Sequence, residues 1–209
     1  MGKGQHSKSG RTKAFRGESG MKALGGANMG LQLQTQRLVL REFAYEDWPA
    51  VHAYASDPEV TRYMSWGPND EAASQGFVKT VIAQQGKLPR TAYDLAITLK
   101  INGQLIGGCG IYRRRLQEGE MGYCLHRAYW NKGYVTEAAT ALLEFAFSQE
   151  GFHRIYATCD PRNLGSARVM EKSGMRREGH MKEHLYKDGQ WRDSLLYAIL
   201  DWEWRAPRE

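Results

Sequence analysis

The sequence predicts a mixed α/β (α+β) domain: one mixed sheet with helices on both of its faces. Two hairpins and the alternation between them carry that prediction. Asn102-Gly103, a dipeptide suited to a tight strand turn, lies between apolar runs at 93–100 and 104–112. Asp188-Gly189 lies likewise between runs at about 176–186 and 191–202. Between the two hairpins the pattern reads strand, helix, strand, helix, an order that builds a mixed sheet.

Patterning begins at Gln36. Leu38 and Leu40 alternate with Arg37, Val39 and Arg41 in a first strand. Residues 46–55 read as a helix whose Pro49 fits the first turn, where a missing amide costs little. Asp57-Pro58 ends it, and a short turn carries Tyr63 and Trp66. Asn69 is the expected cap of a second helix running to about residue 85, with a loop at 86–90. After the first hairpin a basic loop at 113–119 leads to a strand at 120–125. The helix at 136–149 places Ala139, Leu142, Leu143, Ala146 and Phe147 at helical spacing. A strand at 154–159 follows. Asp160-Pro161 then turns the chain, Asn163 caps a helix that ends at Ser173, and Gly174 stands just past its C-terminus.

With 209 residues, 42% of them hydrophobic, the chain has the material for one domain with a sizeable core. No run approaches the roughly 18 apolar residues of a membrane helix, and no apolar secretory segment opens the sequence, so a cytoplasmic protein without a membrane partner is expected. Cys109, Cys124 and Cys159 lie far apart without C-x-x-C spacing. They read as small buried hydrophobes, not as a disulfide framework or zinc site. The net charge of +6 is concentrated at the start, where six Lys and Arg of the first 30 residues stand against Glu18 alone. Residues 1–30 therefore read as a disordered basic tail, or as a vector-derived or mis-started extension ahead of Met21 or Met29, with an RNA-contacting arm as the alternative. The remainder, 31–206, is near neutral, and no nucleic-acid partner is expected for it.

The chemistry centres on the stretch from Tyr123 to Ala138, YCLHRAYWNKGYVTEA. A strand gives way at Asn131 and Gly133 to helix formers, and the free amides of a helix's first turn favour a phosphate group. Other phosphate loops are disfavoured, because no G-x-x-x-x-G-K-[ST] occurs. A plain strand-to-helix connection with Gly at its turn is the alternative reading of the same residues.

The ordered set of a hairpin, Glu120-Met-Gly-Tyr-Cys, WNKGYVTEA, Asn163-x-x-Ser166 and Gly174-Met175 resembles the GNAT superfamily of acetyl-CoA-dependent N-acetyltransferases. It is most similar to the branch of ribosomal-protein N-terminal (alanine or serine) acetyltransferases. The resemblance spans about 33–204. It implies a twisted, largely antiparallel sheet of about seven strands, splayed at the acetyl-CoA site. Backbone groups of Cys124 and Leu125 would bond the pantetheine arm. The amides of Asn131, Lys132, Gly133, Tyr134, Val135 and Thr136 would hold the pyrophosphate, and Asn163 would cap its helix while facing the cofactor. Many members carry a tyrosine seven residues after this Asn, where this chain has Met170; the ribosomal branch places a serine at the position of Ser166. Ser166 is thus the candidate to protonate or stabilise the departing sulfur.

Glu120, matching a glutamate that opens the corresponding strand in the histone-acetylating branch, is the candidate general base. The ribosomal branch's own glutamate falls at Leu185 here, with Glu183 two residues away. Tyr63 and Trp66 are candidates to line the acceptor pocket, with simple packing as the alternative. Arg127, Lys132 and Arg168 are candidate phosphate contacts or solvated surface. His180 and His184 read as isolated strand histidines, and no metal is expected. The function implied is acetyl transfer from acetyl-CoA to a primary amine, first a protein N-terminal α-amine. A small amine such as an antibiotic or polyamine, and a non-catalytic acyl-CoA-binding module, are the alternatives. Either a monomer or a homodimer accords with the sequence.

Overall fold

The computed structural model describes residues 30–205, so the tail expected at 1–30 lies, but for Gly30, outside the described residues. Eight strands form one sheet in the order β1-β2-β3-β4-β5-β6-β8-β7. They are β1 (Gln32–Gln34), β2 (Leu38–Glu42), β3 (Ala92–Leu99), β4 (Leu105–Arg115), β5 (Glu118–Leu125), β6 (Arg154–Cys159), β7 (Arg176–Lys187) and β8 (Gln190–Leu200). All neighbours are antiparallel except β5 with β6. The expected seven strands become eight through β1, whose three residues are too few for alternation to announce.

Helices α1 (Trp48–Ala55), α2 (Pro58–Thr61) and α3 (Glu71–Gln85) precede β3, while α4 (Tyr134–Ser148) and α5 (Leu164–Lys172) flank β6. The cap of α3 is Asp70, not Asn69: Asp70 Oδ1 accepts the Ala73 N–H at 2.7 Å, and the Asn69 N–H bonds Ala55 C=O instead. The cap of α5 is Asn163 as expected, its Oδ1 accepting the Ser166 N–H at 3.1 Å, and Gly174 beyond the helix has φ +90°. Trp202, expected in the last strand, belongs to a terminal helix α6 (Asp201–Arg205).

At Asp188-Gly189 both residues have positive φ, 52° and 76°, the two-residue turn whose twist matches its strands. At Asn102-Gly103 only Gly103 does, at 71°. The Leu99 N–H bonds Gln104 C=O around a four-residue loop, while the Lys100 N–H is drawn to Arg37 C=O. The basic loop expected at 113–119 is mostly strand: β4 runs to Arg115 and β5 starts at Glu118, leaving Leu116 and Gln117 as the connection.

The sheet divides the core in two. Leu38, Leu40, Leu95, Ile97, Ile111, Met121 and Leu125 meet Leu142, Leu143 and Ala146 of α4 and Met170 of α5. Phe43, Tyr54 and Ala96 meet Val78 and Val81 of α3 on the opposite face. Each fully buried Leu or Ile contributes roughly 1.5–3 kcal/mol. The buried Cys109 and Cys159 fit the small-hydrophobe reading, and Cys124 is half-buried.

Candidate active site

The parallel pair β5–β6 is joined over three residues only, Glu118 to Glu120 against Arg154 to Tyr156. Beyond Tyr156 the strands part. Which backbone groups face the opening follows from the antiparallel alternation with β4. The Arg113 N–H bonds Thr91 C=O of the neighbouring chain segment before β3, so even-numbered residues of β4 turn to β5, and their partners Gly122 and Cys124 turn back to β4. Tyr123 and Leu125 therefore present their backbone groups to the opening. The Leu125 carbonyl accepts the Trp130 indole N–H at 2.8 Å. Of the expected pair, Leu125 faces the opening, whereas the backbone of Cys124 serves the β4 ladder and its side chain packs toward the α1–α3 face.

The segment from β5 to α4 is set by two left-handed residues, Asn131 (φ 59°) and Gly133 (φ 77°). Asn tolerates that conformation and Gly adopts it freely. Gly133 is the N-cap of α4 without any side-chain cap, and the first helical bond runs from the Glu137 N–H to Gly133 C=O. The amides of Tyr134, Val135 and Thr136 are thus left without helical partners at the positive end of the dipole. Lys132 does not project over them: its Nζ donates to Ala128 C=O at 2.9 Å. Arg127 is similarly engaged, its Nε 3.3 Å from Asp57, while Arg168 is exposed.

Sequence reasoning missed what holds this helix start. Glu137 in the first turn of α4 accepts the Thr35 hydroxyl (2.5 Å), the Arg37 N–H (2.7 Å) and Arg37 Nε (2.7 Å). Arg37 also donates to Lys132 C=O at 2.9 Å and lies 4.4 Å from the Tyr134 ring centroid. Burial pushes the Glu137 carboxyl up, and the bonds from Thr35 and Arg37 outweigh it and hold the group below its ordinary value. The partners are about a hundred residues apart in sequence, and the only local signal was an acidic residue in a helix's first turn.

Across the opening, Ser166 Oγ lies 3.0 Å from Tyr123 Oη, which also donates to Ser166 C=O at 3.0 Å. Cys159, at the end of β6, faces the same serine, and burial pushes its thiol up to about 11. Burial likewise raises the Tyr123 phenol. Met170, at the family's tyrosine position, is wholly buried in the core. Glu120 stands on the other face of β5, in the last row still paired to β6, with Oε2 held 2.7 Å from Arg114 Nη2. Ser166 and Glu120 thus flank the opening from opposite sides of the sheet.

Tyr63 and Trp66 lie in the loop after α2, which is tied to the β7–β8 hairpin. Lys187 Nζ donates to Trp66 C=O (3.1 Å) and Arg192 to Arg62 C=O (3.2 Å). Tyr63 sits 5.3 Å from the Arg62 guanidinium and 5.6 Å from that of Arg162 beside β6, while Trp66 packs on the second core cluster. Glu183 has φ 48° in a bulge of β7 and its N–H bonds Asp193, so the regular alternation linking it to Leu185 fails there. His180 and His184 contact Asp193 and Ser194 separately, and no metal-binding cluster occurs among the described residues. A groove of about 660 Å³ runs along α4 from its first turn, lined by Gly133, Thr136, Glu137, Glu144, Lys172 and Trp204 among others.

A family model for the acetyltransferase (GNAT) domain matches residues 37–176. The uncharacterized N-acetyltransferase YnaD of Bacillus subtilis (strain 168) is 39% identical over 175 residues, covering 83% of this chain and 99% of its own. The [ribosomal protein uS5]-alanine N-acetyltransferase of Escherichia coli (strain K12) is 34% identical over 88 residues, 42% of this chain and 45% of its own. Among solved structures, a GNAT-family acetyltransferase from Bacillus anthracis superposes with a TM-score of 0.74 at 35% identity, covering 82% of this chain and 99% of that one. With the splayed sheet and the uncapped α4 start in view, the chain belongs to the GNAT superfamily and is an N-acetyltransferase.

Proposed function

We propose that the enzyme transfers the acetyl group of acetyl-CoA to a primary amine, and that its acceptor is a protein N-terminal α-amine of the ribosomal-protein kind. The observation that carries this reading is the parting of β5 from β6 beside the uncapped start of α4. An unpaired strand edge accepts an extended amide-bearing arm as an added strand, and the amides from Asn131 to Thr136 receive a pyrophosphate. Tyr123 and Leu125 hold the pantetheine arm by their backbone, and Asn163 faces it from the start of α5. Ser166, oriented by Tyr123, donates to the departing sulfur. Glu120 attracts the incoming ammonium from the opposite face, and Tyr63 and Trp66 line its approach.

The α-amine is favoured by energetics as well as by the relative that acts on alanine of uS5. With a pKa near 7.8, such an amine is roughly 14% neutral at pH 7, a cost of about 1 kcal/mol; lysine near 10.4 costs more than about 4 kcal/mol. A thiol-release assay with acetyl-CoA against alanine- and serine-starting peptides, spermidine and an aminoglycoside tests the proposal. Release with the peptides, and mass spectrometry placing the acetyl group on the α-nitrogen, is the expected result. Release with spermidine or the aminoglycoside alone would move the assignment to small amines.

A further inference from the structure

The sheet face turned to α1 and α3 carries three glycines whose surroundings differ. A side chain at Gly108 would meet Phe43 at 3.1 Å and Tyr54 Oη at 3.5 Å, so that space is filled. At Gly110 it would meet Asp94 Oδ1 and Tyr112 Oη, each at 3.0 Å. At Gly122 it would meet only the edge of the Tyr112 ring, at 3.9 Å, so that space is open. Asp94, Gly110 and Gly122 pair across β3, β4 and β5 in one row. Gly122 is two residues past Glu120, the last residue of β5 that pairs with β6. This row therefore crosses the sheet where it opens, one side-chain step beyond Glu120.

From the next row, where it pairs with Glu120, Tyr112 reaches over Gly110, and its Oη donates to Asp94 Oδ1 at 2.5 Å; Asp94 is only 8% exposed. No ion pair reaches Asp94 among the described residues, and its Oδ2 has no hydrogen-bond partner there. Nor is that oxygen sealed off: the one buried side-chain polar atom without a partner among the described residues is Arg90 Nη2. A buried carboxylate with a single neutral donor is costly to a fold and calls for a use. Glu120, by contrast, is partly exposed and has its Oε2 held by the charged guanidinium of Arg114.

We infer that Tyr112 and Asp94 form the proton-accepting pair of acetyl transfer, Tyr112 Oη touching the acceptor's ammonium and Asp94 acting through it. The inference rests on the amine acetylation proposed above and adds to it the route of the proton. One N–H proton passes to Tyr112 Oη as the phenol's own proton passes to Asp94 Oδ1. The nitrogen lone pair so freed forms the C–N bond to the thioester carbon. The C–S bond then breaks, Ser166 gives its proton to the sulfur and is reprotonated by the second nitrogen proton, and Asp94 returns its proton to solvent. One proton is released per acetyl group, and nothing is oxidised or reduced.

The surroundings suit this role. Arg90 before β3, Tyr54 on α1 and Tyr112 on β4 surround Asp94 on its own face of the sheet, and the Cys109 thiol acts on it only through the sheet from the other face. Burial raises its carboxyl above the ordinary range, opposed by the Tyr112 bond and Arg90, which makes it a stronger proton acceptor than a solvated aspartate. Burial and Asp94 itself raise the Tyr112 phenol, so it relays a proton without ionising.

The test uses Tyr112→Phe, Asp94→Asn and Glu120→Gln in the full chain, with an alanine-starting peptide amide and spermidine as acceptors. Both Tyr112→Phe and Asp94→Asn are expected to lower kcat/KM at least about 100-fold at pH 7, with close to tenfold regained per pH unit below the amine's pKa. CoA affinity stays within about twofold. A carboxyl raised by burial destabilises the fold above its unfolded pKa, so Asp94→Asn keeps or raises the thermal midpoint, which loss of a structural contact would not do. Should Asp94→Asn fail to fold, Tyr112→Phe, which removes one oxygen and keeps the ring, decides. Rates within about threefold of wild type with an unchanged pH profile overturn the pair, as does Glu120→Gln alone reproducing the loss and its rescue at high pH. If the wild type turns over while these variants match it, amine acetylation stands and the pair falls. Absence of wild-type thiol release with either acceptor sinks both.

Discussion

Replacing Gly133 by alanine isolates the loop that precedes α4. Its φ of 77° is left-handed, where an L-residue with a Cβ is disfavoured by roughly 1–2 kcal/mol. Crowding adds little, since the new Cβ would approach Arg37 Nη2 at 3.4 Å, an ordinary contact. The free loop relaxes that strain by turning the amides of Tyr134 to Thr136 away from the site, and CoA binding must restore the strained shape. Gly103→Ala supplies the comparison, because Gly103 has φ 71° and nothing within 4 Å of its would-be Cβ, in a hairpin away from the opening. Denaturant unfolding is expected to show Gly103→Ala weakened by roughly 1–2 kcal/mol and Gly133→Ala, whose loop relaxes, weakened by less. Calorimetric titration with CoA is expected to separate them: Gly133→Ala binds about 5- to 30-fold more weakly, the same energy expressed as affinity, and Gly103→Ala binds like wild type. CoA affinity unchanged in Gly133→Ala would refute the claim that this backbone shapes the pyrophosphate site.

Ser166→Ala is expected to lower kcat by about 10- to 100-fold with CoA affinity intact, because a thiolate of pKa about 8.5 needs only modest help in leaving. Tyr123→Phe, which frees Ser166 Oγ from its 3.0 Å partner, should lower kcat in the same direction by a smaller factor; single-turnover kinetics check both. A Cβ at Gly107 would meet Cys124 C=O at 2.3 Å, so Gly107→Ala is expected to destabilise by about 1–3 kcal/mol or more. Gly122→Ala enters open space and should leave the thermal midpoint nearly unchanged while lowering activity. Glu137 has a carboxyl held below its ordinary 4.5, so its bonds stabilise the fold above the unfolded pKa and lose that effect as pH falls through the folded value. Partial exposure of Arg37 limits the effect, and Glu137→Gln is expected to cost about 1 kcal/mol at pH 7. In urea titrations that difference should shrink as pH drops below about 4.5.

What the sequence disclosed and what it hid follow from the range of the interactions. Asp188-Gly189 and the Asn163 cap were readable because a turn or a cap is decided within four residues. Asn69 and Asp70 are both competent caps. The choice went to Asp70 because Asn69 was needed by Ala55 C=O, a contact with α1 that no local pattern encodes. The Asn102-Gly103 loop lengthened for a similar reason, the pull of Arg37 C=O on the Lys100 N–H. The strand, glycine turn and helix start from 120 to 136 were legible because each is decided by neighbouring residues. The supports of that helix start, Thr35 and Arg37 on Glu137, were not, being an association of distant segments. Parity within a strand was also hidden: the identity of residues 123–125 says nothing of which backbone groups β4 has taken. The burial of Asp94 was equally invisible, since alternation places it on a face but not beneath Tyr112.

Whether CoA lies in the β5–β6 opening with its pyrophosphate on the first turn of α4 is decided by amide NMR of the labelled protein titrated with CoA and with pantetheine. Large shifts are expected at Tyr123 and Leu125 with both ligands, and at Tyr134, Val135 and Thr136 with CoA alone. Shifts confined to Glu144, Lys172 and Trp204 in the groove along α4, with those five amides unmoved, would contradict that placement.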